Sequence, residues 1–248
     1  MSALEVEFFN LLATSETRWT TLKIEGRTWF NFDTQRLAGQ INVERQIANG
    51  ARIAMFQRAD SDEDDASETE IAPTPVDYDE TWSLWVTPER RRAKFSVGDH
   101  RVDVVIEGST FWSNGLDRSF TNHGLKNHGH GQGDGQHLIR TPEYVGRLQA
   151  VELSEGTTIG RPTIDARLTI LDAENFEFSP GLHGLTIGDA DFLELSVDRE
   201  RGVVLSASSW LHGAIYRVVE MTNVEFDIHF APDAFRIQPE FGTEWTSV

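Results

Sequence analysis

Ile159-Gly160-Arg161-Pro162 runs into Ile164-x-Ala166-x-Leu168-x-Ile170, a strict alternation of apolar and polar residues. Apolar residues at every second position line one face of a strand and leave the polar residues on the other. The Gly-containing tetrapeptide is a tight turn at the head of that strand. Three more alternating runs follow, out to residue 237. The last, Val224-Glu225-Phe226-Asp227-Ile228-His229-Phe230, sets four apolar residues against three ionisable ones. The pattern predicts half-buried strands of an antiparallel sheet with one dry and one wet face.

The same signal recurs upstream. Trp82-Ser83-Leu84-Trp85-Val86, Ala93-x-Phe95-x-Val97 and Val102-x-Val104-x-Ile106, with turns at Gly98-Asp99 and Glu107-Gly108, predict a meander. Residues 198–202 form the turn between Leu193-x-Leu195-x-Val197 and Val203-x-Leu205. Residues 19–32 read as a strand with Leu22, Ile24, Thr28, Phe30 and Phe32 on one parity and a bulge at Gly26. Residues 51–57 read as another strand.

Ser2-Ala3-Leu4-Glu5 has the form of a capping box, and Leu4, Phe8, Leu11 and Leu12 follow at helical spacing. Asp33 or Thr34 is expected to cap a second helix carrying Leu37, Ile41 and Ala48 and ending at Asn49-Gly50. Thr141 is expected to cap a short helix with Pro142 at its first position. Residues 175–189 read as a Gly- and Pro-containing excursion. The expected class is α+β, mainly β, with about nine to eleven strands in one domain over residues 1–248.

Two segments interrupt the pattern. Residues 59–75 hold Asp60-Ser61-Asp62-Glu63-Asp64-Asp65 with no basic or aromatic residue, the composition of a solvated loop that repels itself. It lacks the Gly and closing Glu of a calcium loop. Residues 114–137 hold His123, His128, His130 and His137 among six glycines. Imidazole is a common ligand for zinc, copper and nickel, so these four are candidate metal ligands, with Asp134 as a further ligand or a turn residue. Their spacing matches no standard zinc pattern.

Composition removes whole classes of function. Asp and Glu number 40 against 22 Lys and Arg, a formal charge of −18, and that field repels nucleic-acid phosphates and anionic membranes. Cysteine is absent, which excludes disulfides and thiolate chemistry. No stretch reads as a membrane span, and the first residues lack the basic-then-apolar pattern of an export signal, so the chain is expected in the cytoplasm. No nucleophile elbow, zinc-protease helix or phosphate loop occurs, and no catalytic residue or cofactor is assigned.

Trp85-Val86-Thr87-Pro88 followed by Arg91-Arg92, the run Val104 to Trp112 containing Glu107-Gly108-Ser109-Thr110-Phe111-Trp112, Ile159-Gly160-Arg161-Pro162, and Leu195-Ser196-Val197-Asp198-x-x-x-Gly202-Val203 together resemble the LolA/LolB-like superfamily of lipoprotein carriers. RseB-type sigma-factor regulators are similar over the same segments. The resemblance covers residues 80–237 and, more loosely, the first helix and strand. It implies a strongly curved antiparallel half-barrel with helices plugging a concave, hydrophobic face, with residues 59–75 and 114–137 as insertions.

The function expected is non-enzymatic binding of an apolar ligand, a lipid or acyl chain, in that face. Trp19, Trp29, Trp82, Trp85, Trp112 and Trp210 are the candidate ligand-binding residues, with Phe8, Phe9, Phe30 and Phe95 as further large side chains to fill or line it. The alternatives are a protein-interaction module, with Arg90, Arg91, Arg92 and Lys94 as a docking patch, and metal binding through the histidine loop.

Overall fold

The computed structural model describes residues 1–48, 77–97, 100–115, 118–123, 133–171, 180–186, 189–240 and 245–247. Its strands are β1 (Leu22–Asn31), β2 (Asp77–Val86), β3 (Arg90–Val97), β4 (His100–Glu107), β5 (Thr110–Gly115), β6 (Arg118–His123), β7 (Leu148–Thr158), β8 (Arg161–Ile170), β9 (Phe192–Asp198), β10 (Val204–Leu211), β11 (Ala214–Phe226) and β12 (Thr246–Ser247). The helices are α1 (Ala3–Thr14), α2 (Phe32–Ala48) and α3 (Pro180–Thr186), with 3-10 turns at Ser15–Thr17, Asp134–Leu138 and Thr141–Tyr144.

All twelve strands form one open sheet in the order β12-β6-β5-β4-β3-β2-β1-β11-β10-β9-β8-β7. The neighbours are antiparallel, except that β12 runs parallel to β6. Two meanders therefore meet at β1, which pairs with β2 on one side and β11 on the other.

The hydrophobic pattern bends this sheet. β3 and β7 stand seven strands apart, about 34 Å in a flat sheet at about 4.8 Å per strand. Yet Ala93 of β3 and Leu148 of β7 join one buried cluster with Phe8, Leu11 and Leu12 of α1, a helix only about 18 Å long. The sheet curls around an inner face plugged by α1, α3 and the two later 3-10 turns. This is the mainly β half-barrel expected, with a two-residue twelfth strand added at the edge.

The strongest sequence signals reappear as geometry. Ser2 and Glu5 close a full capping box on α1. Ile164, Ala166 and Leu168 are buried, as are Leu193, Leu195 and Val197. Ile159 and Gly160 both have positive φ, as a two-residue hairpin of matching twist requires. The register shifts at Glu25/Gly26, where the Trp82 ring lies so close that a Cβ on Gly26 would sit 2.3 Å from it.

The motif residues also meet each other. The Asp198 carboxylate accepts from the backbone N–H of Glu200 and Arg201, both at 2.8 Å, and pairs with the Arg161 guanidinium. Gly202 then turns at φ +72 beneath α1, where a Cβ would fall 2.3 Å from the Leu11 carbonyl oxygen.

Several expectations need correction. Asn31, and not Asp33 or Thr34, caps α2: its side-chain oxygen accepts from the Thr34 N–H at 3.0 Å and the Thr34 hydroxyl at 2.9 Å. The α2 residue fully buried against Leu211 and Tyr216 is Ala38, with Ile41 beside it, while Leu37 is exposed. Thr141 caps nothing; its hydroxyl donates to the Leu12 carbonyl at 2.9 Å and ties the 3-10 turn to α1.

The last alternating run stops being a strand at Phe226, because Asp227 adopts φ 55 and its carboxylate accepts the Thr20 N–H at 2.8 Å. Beyond it the chain crosses the outer face of β3–β6, with the Ala234 and Gln238 carbonyls held by Arg92 and Asn114. The stretch read as irregular from residue 114 contains β6 and the 3-10 turn Asp134–Leu138, and the excursion at 175–189 contains α3. The expected strand at 51–57, the acidic loop 59–75, the turn at Gly98-Asp99 and the helix end at Asn49-Gly50 lie outside the described residues.

Candidate functional site

Cross-strand partners share a face, so the registers sort the tryptophans. Trp82, opposite Gly26 and Phe95, points inward and is buried, with its indole N–H donating to the Thr28 hydroxyl at 3.1 Å. Trp85 has the opposite parity and lies on the outer face beneath Arg92 and Lys94. Trp210 is also outside, stacked on Phe192 and donating to Glu194 at 3.0 Å. Trp29 alternates with inward Thr28 and Phe30, and Trp112 pairs with Val105, both on the outer parity. Trp19 packs on the edge of the main core. The six tryptophans form no common wall.

Most of the inner face is filled solid. A Cβ at Gly135 would sit 2.4 Å from the Trp82 ring, so the 3-10 turn Asp134–Leu138 lies directly on the tryptophan. A Cβ at Gly184 of α3 would meet the His137 imidazole at 2.1 Å. His137 is thus packed against α3, and its carbonyl accepts the buried Tyr144 hydroxyl. His128 and His130 lie outside the described residues, as does the side chain of His123. Among the described residues no group of three metal-ligating side chains comes together.

At the end of β1, the start of β2 and the start of β11, the packing opens into a cleft of about 310 Å³. Phe30, Tyr78 and Phe95 form apolar walls, Gln35 of α2 stands at one side, and Gly133 and Asp134 close it from the plugging turn. Gly133 has φ +66, and a Cβ there would press on the Phe95 ring at 3.2 Å, so the turn enters close against that wall.

At the base of this cleft lies Arg217, on the inward parity of β11 opposite Phe30 and Ser209. It is 1% exposed, and its guanidinium carbon sits 5.7 Å from the Phe30 ring centre. Nη1 reaches Gln35 at a long 3.4 Å. Nη2 approaches the Asp134 carboxylate at 2.7 Å, but off the N–H direction, so Nε and Nη2 have no hydrogen-bond partner among the described residues. A buried guanidinium with two donors lacking an aligned acceptor is uncommon, because each unmet donor loses its hydration without return.

Glu80 faces the same space. Burial pushes its carboxyl up to about 7, with the Tyr78 hydroxyl bond and Arg217 pulling the other way and Asp134 adding to the rise. Sequence reasoning passed over Arg217 and Glu80, although both carry charge on the apolar parity of their strands.

Other depressions are polar and lie elsewhere. One of about 500 Å³ at the β2–β3 turn is lined by Arg91 and Arg140 with Glu16 and Glu143. Burial, then the nearby Arg140, lowers the Arg91 pKa. Others of about 410 and 360 Å³ open on the outer face. Arg90, Arg91 and Arg92 make no single patch: Arg92 pairs with Asp103 at 2.6 Å, Arg90 stacks on Phe235, and Arg91 points to the opposite face. No described helix is long and apolar enough to cross a membrane.

No family model matches the chain, and no curated protein is similar to it. Among solved structures it is similar to MucB in the Pseudomonas aeruginosa MucA/MucB complex, at 14% identity and TM-score 0.46, over 93% of this chain and 60% of that one. It is also similar to an uncharacterised conserved protein from Thermus thermophilus, at 7% identity and TM-score 0.48, over 98% of both chains. A LolA superfamily protein from Nitrosomonas europaea matches at 7% identity and TM-score 0.35, over 95% of this chain and 99% of that one. The chain spans about three-fifths of the length of the MucB chains it matches.

Proposed function

We propose that the chain is a non-enzymatic binding protein that holds a small ligand with an apolar body in the cleft between Phe30, Tyr78, Phe95 and the turn at Asp134. One observation carries this reading: the inner face is packed to contact around Trp82 but opens at this end into an aromatic-walled space. Its volume of about 310 Å³ sits at the bottom of the roughly 300–1,000 Å³ range of ligand pockets, which suits one short chain or ring system and not several acyl chains. The tryptophans act as core and outer-face packing in this account.

Titration with a fluorescent acyl probe tests the proposal. Saturable binding is expected, weakened by Phe30→Ala and by Phe95→Ala. A probe that does not bind, or that binds both variants as it binds the parent, overturns it.

A further inference from the structure

The chemistry of the base of the cleft specifies more than an apolar body. Arginine presents its donors in a rigid plane, and the Nε and Nη2 hydrogens point the same way, spaced to match the two oxygens of a carboxylate. In Arg217 this is the edge left without hydrogen bonds among the described residues. Asp134 neutralises the charge at 2.7 Å without completing the fork. The arrangement keeps a buried cation from being isolated and leaves Nε and Nη2 without an aligned acceptor.

We infer that the cleft takes a monocarboxylate with an aliphatic or aromatic body, whose head displaces Asp134 and bonds in bidentate fashion to Nε and Nη2 of Arg217 while its body lies along Phe30, Tyr78 and Phe95. This rests on the cleft being a ligand site. Asp134, 21% exposed at the start of its turn, is the side chain placed to swing out. A single negative charge fits better than a double one, because Glu80 and Asp134 already face the same guanidinium. Gln35 accepts from the third nitrogen, Nη1, at 3.4 Å, which leaves the Nε and Nη2 edge to the head.

The test is calorimetric titration of the full chain with decanoate, decanol and decyl phosphate. Decanoate should bind about tenfold or more tightly than decanol, the margin of a charge-assisted fork over a neutral hydroxyl, and more tightly than decyl phosphate. Arg217→Lys, which keeps the charge without the fork, should lose most of that preference. Asp134→Asn, which removes the competing carboxylate at some cost in stability, should bind decanoate several-fold more tightly.

Decanol binding as tightly as decanoate, or decyl phosphate binding more tightly, overturns the inference and leaves the apolar cleft standing. Asp134→Asn binding decanoate no better than the parent also overturns it. If none of the three ligands binds, both the inference and the cleft reading fall.

Discussion

Asp134 Oδ2 lies 2.7 Å from Nη2 of Arg217, a guanidinium only 1% exposed, and yet the two make no aligned hydrogen bond. Breaking a buried ion pair by removing one partner costs about 3–5 kcal/mol, whereas replacing both partners by apolar side chains of similar volume costs little. Because Asp134 keeps some contact with water, the Asp134→Asn loss is expected at the low end, about 3 kcal/mol. Replacing both partners, Arg217→Met with Asp134→Leu, should stay within about 1 kcal/mol of the parent. Urea unfolding of the two variants checks this order. Decanoate should raise the midpoint of Asp134→Asn more than that of the parent, since a ligand at free concentration L that binds only the folded state stabilises it by RT ln(1 + L/Kd) and so more where Kd is smaller.

Glu80 introduces a pH dependence of definite sign. Its folded carboxyl is raised from 4.5 to about 7, with Tyr78 from its own strand, Asp134 from the plugging turn and Arg217 from β11 facing it, and uncharged Gln35 nearby. Between pH 4.5 and 7 the folded state holds a proton that the unfolded chain releases, so Glu80 lowers stability as pH rises through that window. Glu80→Gln should therefore raise the melting temperature relative to the parent at pH 8 and have little effect near pH 4. Decanoate affinity should fall as pH passes through about 7, where Glu80 gains its charge.

Gly202 and Gly108 separate two costs. Both have positive φ, but a Cβ at Gly202 would collide with the Leu11 carbonyl oxygen at 2.3 Å, whereas Gly108 faces open space. Gly108→Ala should cost about 1 kcal/mol from backbone conformation alone. Gly202→Ala should cost more than about 2 kcal/mol, because α1 must also move off the turn. Chemical denaturation of both variants gives the comparison.

Thr28→Val leaves the Trp82 indole N–H buried without its acceptor. The expected loss is about 1–3 kcal/mol. Thermal unfolding checks it, and Thr28→Ser, which keeps the hydroxyl, should recover part of the loss.

The sheet was legible because period-two alternation and glycine turns are local signals: Ile164, Ala166 and Leu168 show their buried face in the sequence itself, and Gly160 and Gly202 show their turns. β6 was not legible, because Arg118-Ser119-Phe120-Thr121-Asn122-His123 has no apolar face, and its pairing with β5 and β12 is what makes it a strand. The tryptophans were grouped by residue type, although Trp82 and Trp85 stand three apart and so lie on opposite faces of one strand.

The cleft had a trace in the sequence. Glu80 shares its parity with Trp82 and Leu84, and Arg217 shares its parity with Val219 and Met221. What sequence reading lacked was the insertion of β1 between β2 and β11, which brings these two charges together across Phe30.

The most direct measurement is a crystal structure of the chain with decanoate. The account predicts the carboxylate within hydrogen-bond distance of Nε and Nη2 of Arg217, Asp134 turned away, and the chain along Phe30, Tyr78 and Phe95. Decanoate seated elsewhere, with Asp134 still against Arg217, contradicts it.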